Sequence, residues 1–358
     1  MRSCVIIGAG VSGLYAATLL EKADVDYVIL ESRVRTGGRV LSAGFSGLHV
    51  DMGATWFWPD IQSNFAQLIT RLGLPVIPQG RPGDMLYERQ TDTPAQRYPA
   101  YDTSPASFRL KGGMQALTST LKSQIPTHKI KLDQHVKSII RTDEGIQVLA
   151  KTEVGAETLY SGEHIFLALP PALAANIAFS PTLPDTLISH WRKTPTWMAP
   201  HAKYSAVYNT DFLRAQRLSG DASSRTGPMV EIHDVSEPNS GTTVIFGFIG
   251  VPAKSRWTVS EDVLKLLCRE QLVRLFGPDA AEPEAEFLKD WASDPFTATE
   301  FDLLQESGHP LPDQPPGQGE WAGKITGIAS EWSPQFSGYL AGAIDSASDG
   351  IQNWLQQR

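Results

Sequence analysis

The chain has 358 residues, 41% of them hydrophobic and 20% charged, which leaves room for one large or two modest globular domains. Its formal net charge of −8 excludes the basic surface that a nucleic-acid partner requires, while remaining compatible with a cationic substrate. Two distant cysteines, Cys4 and Cys268, make neither a disulfide framework nor a metal site, and no apolar run approaches the ~20 residues that span a bilayer. The expectation is therefore a cytoplasmic protein with no metal, no secretory leader and no membrane contact.

Cys4 to Ile7 reads as a buried strand and runs straight into Gly8-Ala-Gly10-Val11-Ser12-Gly13. Leu14 to Leu20 continues as a helix, and a second strand, Tyr27 to Leu30, ends in Glu31. In this setting the three glycines have separate mechanical roles. Gly8 permits the tight turn, Gly10 lets backbone approach a pyrophosphate, and Gly13 lets helix and strand pack closely. The helix N-terminus offers free N–H groups and a partial positive charge. Glu31 stands 23 residues after Gly8, near the ~20-residue offset of an acid that binds a ribose hydroxyl, and it disfavours a 2′-phosphate. A glycine-rich turn in some other α/β protein would not explain that acid.

Ser32-Arg33-Val-Arg35-Thr-Gly37-Gly38-Arg39 follows. Paired glycines flanked by arginines suit a second close approach to phosphate, which FAD needs and a plain NAD site does not. Farther along, a helix is expected over Ile61 to Leu72, and the polar Pro/Gly-rich stretch Pro78 to Pro105 reads as loop or cover. Short alternating runs between Lys129 and Thr152 read as strands, and Ile165 to Leu169 as an apolar strand stopped by Pro170-Pro171. Ala202 to Tyr208 and Thr243 to Ile249 read as strands of a second domain, and Val259 to Phe276 has helical periodicity. His309 to Gln318 reads as a connecting loop, Ile325 to Ala329 as a short strand, and Ser337 to Trp354 as a closing helix.

Taken in order, GAGVSGLYAA, ESRVRTGGR, Asp51-Met-Gly53-Ala54-Thr55-Trp56, Lys111-Gly112-Gly113-Met114, Ile165 to Pro171, Ala329-Ser-Glu331 and Ser337 to Ala343 resemble the flavin-containing amine oxidoreductases. That superfamily includes monoamine, polyamine and L-amino-acid oxidases. The resemblance implies an α/β fold: a Rossmann-like FAD-binding domain of the GR2 type plus a smaller α+β substrate domain with a mixed sheet. Both would be discontinuous, with 1–58, 105–195 and 318–358 in the FAD domain and 59–104 and 196–317 in the substrate domain. It also implies that FAD contacts Gly8, Gly10, Val11, Ser12, Gly13, Glu31, Ser32, Arg33, Gly38, Arg39, Gly53, Ala54, Thr55, Trp56, Glu331, Gly338, Tyr339 and Leu340. Backbone at Val136 would meet the adenine. Ala329 stands where the family has glycine.

For chemistry, the resemblance implies hydride transfer from an amine C–N bond to flavin N5, giving an imine, with dioxygen reoxidising the flavin to yield hydrogen peroxide. Lys203 matches the lysine that holds a water near N5, about thirty residues past the Pro-Pro pair. Tyr339 matches one aromatic wall over the flavin, and the register of the other gives Phe301. Trp291, Phe296 and Trp321 are further aromatic residues, with core packing the plainer reading for Phe296. Monoamine oxidases attach FAD through a cysteine just before the second aromatic. Glu300 stands there, so FAD is expected to be noncovalent.

The chain departs from its relatives between Trp56 and Lys111, where a helical subdomain that shapes the substrate funnel is missing. The flavin is then more open, or a partner subunit in an oligomer completes the cavity, and Trp56-Phe57-Trp58-Pro59 lines what remains. Arg71, Arg81 and Arg89 are available to grip a substrate carboxylate, but spacing selects none. Against amine oxidation stand a renalase-like or desaturase-like oxidation of a nicotinamide or C–C bond, and a non-catalytic flavin-bound scaffold. Lys203 and Tyr339 favour the amine.

Overall fold

The computed structural model describes residues 2–100, 104–303 and 310–358. The chain opens with β1 (Arg2–Ile7), α1 (Val11–Lys22) and β2 (Tyr27–Leu30), followed by a hairpin of β3 (Ser42–Phe45) and β4 (Leu48–Asp51). Next come α2 (Ser63–Arg71), β5 (Val76–Pro78), β6 (Asp84–Glu88), β7 (Gln96–Pro99), β8 (Phe108–Leu110) and α3 (Gln115–Ser123). The middle segment holds β9 (Ile130–Lys131), β10 (His135–Thr142), β11 (Gly145–Lys151), β12 (Glu157–Leu167), α4 (Pro171–Ala174), β13 (Ala178–Ser180) and α5 (Asp185–Lys193). The remainder is β14 (Ala202–Tyr208), α6 (Phe212–Gln216), β15 (Leu218–Ser224), β16 (Met229–Asp234), β17 (Thr243–Ile249), α7 (Ala253–Arg256), α8 (Glu261–Phe276), β18 (Ala285–Asp290), β19 (Ile325–Gly327) and α9 (Leu340–Gln356).

Two large sheets organise these elements. The first runs β13-β10-β11-β12-β1-β2-β9, with β19 added along the C-terminal half of β12. β1 is hydrogen-bonded in parallel to both β2 and β12. β2 and the C-terminal ends of β1 and β12 are apolar at every position because both faces of the sheet are covered there. Cys4, Ile6, Ile29 and Phe166 face one cluster with residues of α1, α3 and α9. Val5, Ile7, Val28, Leu30, Ile165 and Leu167 face the other, with Leu187 and Trp191 of α5.

The second sheet runs β18-β14-β17-β16-β15-β6-β7 and is antiparallel except for the β15–β6 pair, so it is mixed. One face packs on α8: Tyr204, Ala206, Ile232 and Ile245 meet Leu264, Cys268, Leu272 and Phe276. Because side chains alternate along a strand, Lys203, Phe246, Phe248 and His233 fall on the opposite face, toward the first sheet's loops.

The stretch Pro78 to Pro105 is not the loop its composition suggests. Residues 84–88 and 96–99 form β6 and β7 and extend the second sheet, while 101–103 lie outside the described residues. β7 is exposed at every position, so no apolar alternation marks it, and its pairing rests on backbone bonds to β6. Three helices start later than their patterns predict. α8 begins at Glu261, because Ser260 is its N-cap residue and its hydroxyl accepts from the Val263 N–H at 3.3 Å. α2 begins at Ser63, because Gln62 turns back and its side chain accepts from the Trp58 N–H at 3.1 Å. α9 begins at Leu340, because Gly338 has φ +83°, outside the helical region. The connector expected over His309 to Gln318 has no helix or strand from 310 on, and His309 is outside the described residues.

Candidate active site

At the end of β1 the backbone forms a glycine cradle. A Cβ on Gly8 would sit 2.6 Å from the Ala168 carbonyl, and one on Gly13 would sit 2.0 Å from the Gly8 carbonyl. Only glycine allows β1, α1 and the end of β12 to come this close. A second glycine turn meets the first, with the Gly37 N–H donating to the Ala9 carbonyl at 2.8 Å and Gly38 lying against Gly10. Gly10 is the N-cap residue of α1 and has no side chain to cap it, so the N–H groups of the first turn stay available. Ser12 is turned away from this opening: its hydroxyl donates to the Ile328 carbonyl just past β19.

Beside the cradle, Glu31 is buried at the tip of β2. Its carboxylate accepts from the Ala9 N–H at 2.7 Å and the Arg33 N–H at 3.0 Å. Gln134 donates its backbone N–H to the Glu31 carbonyl at 2.8 Å, which brings the start of β10, with buried Val136, alongside Ser32 and Arg33. Arg33 reaches out of this floor to Asp294 at 2.7 Å and Thr297 at 2.9 Å, and lies 5.4 Å from the centre of the Phe296 ring. Phe296, which reads as core in the sequence, stands edge-on to His135 at 5.2 Å.

The C-terminal segment closes the same region. Arg39 forms a bidentate pair with Glu331, at 2.6 and 3.1 Å, and also bonds Ser330 at 3.1 Å. Gly342, in the first turn of α9, is pressed so close to the preceding loop that a Cβ would stand 2.0 Å from the Phe336 carbonyl.

The segment Gly53 to Trp56 joins floor and roof. Gly53 is wedged against Arg39, where a Cβ would be 1.9 Å from the Arg39 carbonyl. Asp51 anchors this segment from behind by accepting from the Met114 N–H at 2.8 Å and from the Ser42 hydroxyl. Gly113, at φ +75°, leaves room for that carboxylate, which gives the Lys111 to Met114 motif a structural purpose.

Lys203 comes down onto this segment from β14. It is 2% exposed, with Nζ 2.6 Å from the Thr55 hydroxyl, 3.5 Å from the Gly53 carbonyl and 3.6 Å above the centre of the Phe246 ring. Burial, reinforced by the Arg109 charge and opposed by Asp51, pushes its ammonium down to about 7. Asp51 moves upward, chiefly from burial, with the Ser42 bond and the Lys203 charge opposing. Trp56 continues the wall: it lies edge-on to His233 at 4.8 Å and tilted against Phe246 at 5.3 Å. His233 gives one ring nitrogen to Asp221 and the other to Glu231, at 2.9 and 2.8 Å. Burial works against its protonated form, but the two carboxylates outweigh it and raise the imidazole.

Tyr339, the N-cap residue of α9, has Trp197 at 4.5 Å and Trp58 at 6.0 Å. The sequence reading names Phe301 as the second aromatic wall. Phe301 starts a short helical turn, and the neighbouring Asp302 accepts from the Thr196 N–H at 2.7 Å, next to Trp197. The described ring contacts of Tyr339 do not include Phe301. Trp291 is buried against the Met52 carbonyl at 2.9 Å, and Trp321 is buried against Phe179 in the first sheet's core.

The structure thus brings Gly8, Gly10, Gly13, Gly38 and Glu31 together at the end of β1, Arg39 onto Glu331 and Gly53, and Lys203 onto Gly53 and Thr55, while Tyr339 packs with Trp58 and Trp197. Sequence reasoning did not single out Trp197, Phe246 or Phe248. The alternation of β17 could have flagged the two phenylalanines, whereas Trp197 sits in an irregular segment before β14 and carries no periodic signal. Among the described residues, no group of His, Cys, Asp and Glu could hold a metal, and no helix is long and apolar enough to cross a membrane.

A glycine cradle at a helix N-terminus, a buried acid at the tip of the second strand, and a roof sheet above them define a two-domain dinucleotide-dependent oxidoreductase. The residues fit FAD: the cradle has backbone where a Cβ would block a pyrophosphate, and Gly37-Gly38 supplies the second glycine turn. The family model of flavin-containing amine oxidoreductases matches residues 11–100 and 91–349, and the chain belongs to that family. It is 30% identical over 66% of its length to a Dictyostelium discoideum protein named a probable flavin-containing monoamine oxidase A, spanning 51% of that relative. It is 22% identical to putrescine oxidase of Kocuria rosea, covering 84% of this chain and 85% of that one. Among solved structures, cyclohexylamine oxidase from Brevibacterium oxydans superposes with a TM-score of 0.82 at 19% identity, over 99% of both chains. A putrescine oxidase triple mutant superposes at 0.81 and 19% identity, over 100% of this chain and 99% of that one.

Proposed function

We propose that this protein oxidises the C–N bond of a small amine to an imine, using noncovalent FAD as the hydride acceptor. The observation that carries the reading is the placement of Lys203, a buried amine fixed over Phe246 on the Gly53–Thr55 segment that completes the dinucleotide groove. Bound FAD supplies a two-electron acceptor at N5, with dioxygen as its oxidant and hydrogen peroxide as product. Gly8, Gly10, Val11, Gly13, Gly38 and Arg39 would hold its pyrophosphate, Glu31 its ribose, and the start of β10 with Ser32 and Arg33 its adenosine end. Both cysteines are buried in the sheet cores, Cys4 in β1 and Cys268 in α8, which supports noncovalent attachment and a reducing, cytoplasmic setting.

The chain's own residues have three tasks. Trp58, Trp197 and Tyr339 form an aromatic wall that seats an amine as its neutral form and limits bulk water. Lys203, whose ammonium lies near 7, is largely neutral above that pH and holds a water or receives a proton beside the reacting carbon. Phe246, Phe248 and Trp56 keep this amine out of bulk solvent. The names of the relatives point to small primary amines and diamines as the first candidates.

The test is a panel of monoamines, diamines and amino acids mixed anaerobically with the FAD-loaded protein. Bleaching of the flavin by an amine, and peroxide on admitting air, is the expected result. A flavin that no amine reduces but a reduced nicotinamide does would overturn the reading.

A further inference from the structure

We propose that Thr55 is the positioning residue for Lys203: its hydroxyl fixes where the lysine nitrogen sits and in which direction its remaining hydrogens and lone pair point. This deepens the amine-oxidising reading and rests on it for its catalytic meaning. The geometry is a short relay. Lys203 Nζ donates to Thr55 Oγ1 at 2.6 Å, and Thr55 Oγ1 in turn donates to the Gly53 carbonyl at 3.2 Å. The Phe246 ring closes the opposite side of the nitrogen at 3.6 Å. Thr55 is itself buried, so no bulk water substitutes for its hydroxyl.

Among the described residues, no carboxylate takes that role. Asp51, on the element behind, acts on Lys203 only through its field, because its oxygens are engaged by Ser42 and Met114. Arg109 from β8 opposes it and is hydrogen-bonded to the Val235 and Ser236 carbonyls. Lys289, opposite Lys203 on β18, is paired with Asp294. The Asp221–His233–Glu231 cluster lies beyond Phe246 and is closed on itself. Thr55 is thus the nearest side-chain acceptor for a buried cation, and a hydrogen bond to the charged form favours that form. Removing the hydroxyl must lower the proton affinity of Lys203 and leave its nitrogen held only by the long 3.5 Å bond to the Gly53 carbonyl.

The experiment uses holoprotein labelled with ε-¹³C lysine. The Lys203 signal is assigned by its absence in Lys203→Met, and its shift is followed against pH. Thr55→Val keeps the shape without the hydroxyl, Thr55→Ala is a second hydroxyl-free variant in case valine does not fold, and Thr55→Ser keeps the hydroxyl. The hydroxyl-free variant is expected to lower the pH midpoint of Lys203 by about one unit, a tenfold loss of proton affinity. The rising limb of kcat/KM against pH should move the same way, and Thr55→Ser should restore both. An unmoved midpoint, or a serine variant that behaves like valine, would overturn the proposal. If the midpoint moves while Lys203→Met reduces its flavin at the parent rate, Thr55 still positions the lysine and it is the amine-oxidising role of Lys203 that fails.

Discussion

A single buried amine sets the residue-scale expectations. Lys203 lies on a strand whose other face is core, so its aliphatic stem is held and only Nζ meets polar atoms. Its proton affinity is depressed, so it carries charge below about 7 and is neutral above. The part of kcat/KM that depends on it should therefore rise as pH increases through that value. Lys203→Met should remove that limb and slow the enzyme by at least about tenfold, within the range of acid–base assistance. A pH profile of both proteins, with flavin content measured in each, checks this. Glu31 supports a second prediction. Its carboxylate is held by the Ala9 and Arg33 amides, and so is already aimed across the cradle. Glu31→Ala should weaken FAD by about tenfold, as expected from losing roughly one charge-assisted hydrogen bond. Fluorescence of released FAD after dilution would measure it, and full retention would remove Glu31 from the site.

The glycine turns matter most at the scale of elements. Gly13→Ala would drive a methyl into the Gly8 carbonyl, now 2.0 Å from the ideal Cβ position. Separating α1 from β1 should cost about 1–3 kcal/mol, the range for overpacking. Thermal unfolding should record a lower midpoint, and FAD occupancy after purification should fall with it. This part of the fold was legible in the sequence because local chemistry dictates it: the bounds of β2, β14 and β17 coincide with their apolar runs. β6 and β7 were not legible. β6 is a short apolar centre, Met85 to Tyr87, after Gly83, β7 is polar and ends in Pro99, and β15, the strand that ties β6 into the sheet, lies more than a hundred residues away. Trp197 escaped notice for a related reason. A lone aromatic in an irregular segment has no period, and its proximity to Tyr339 exists only after α9 docks.

Over the whole molecule, buried polar contacts fasten the second sheet to the segments that pack around it. Arg109 leaves β8, which pairs with β5 outside both large sheets, and bonds the Val235 and Ser236 carbonyls beyond β16, at 2.6 and 3.0 Å. Burial lowers its proton affinity, and the nearby Asp234 and Asp51 charges counter this. Arg109→Met should cost roughly 3 kcal/mol, the loss of about two hydrogen bonds from a charged donor. Urea unfolding would detect it as a lower midpoint with an unchanged slope if the two halves still unfold together. Splitting into two transitions would mean that this arginine couples them. Arg33 and Asp294 form a second tie at the far end.

The pairing of Arg39 with Glu331 joins positions 292 apart in sequence, and the Ser12 hydroxyl meets Ile328 across a still longer span. A ribosome that has released only the first three hundred residues has therefore made the glycine loops without the wall that completes them. FAD held at this site would therefore be secured only once the segment carrying Glu331 has been made. Such long-range closure is slow compared with local helix formation.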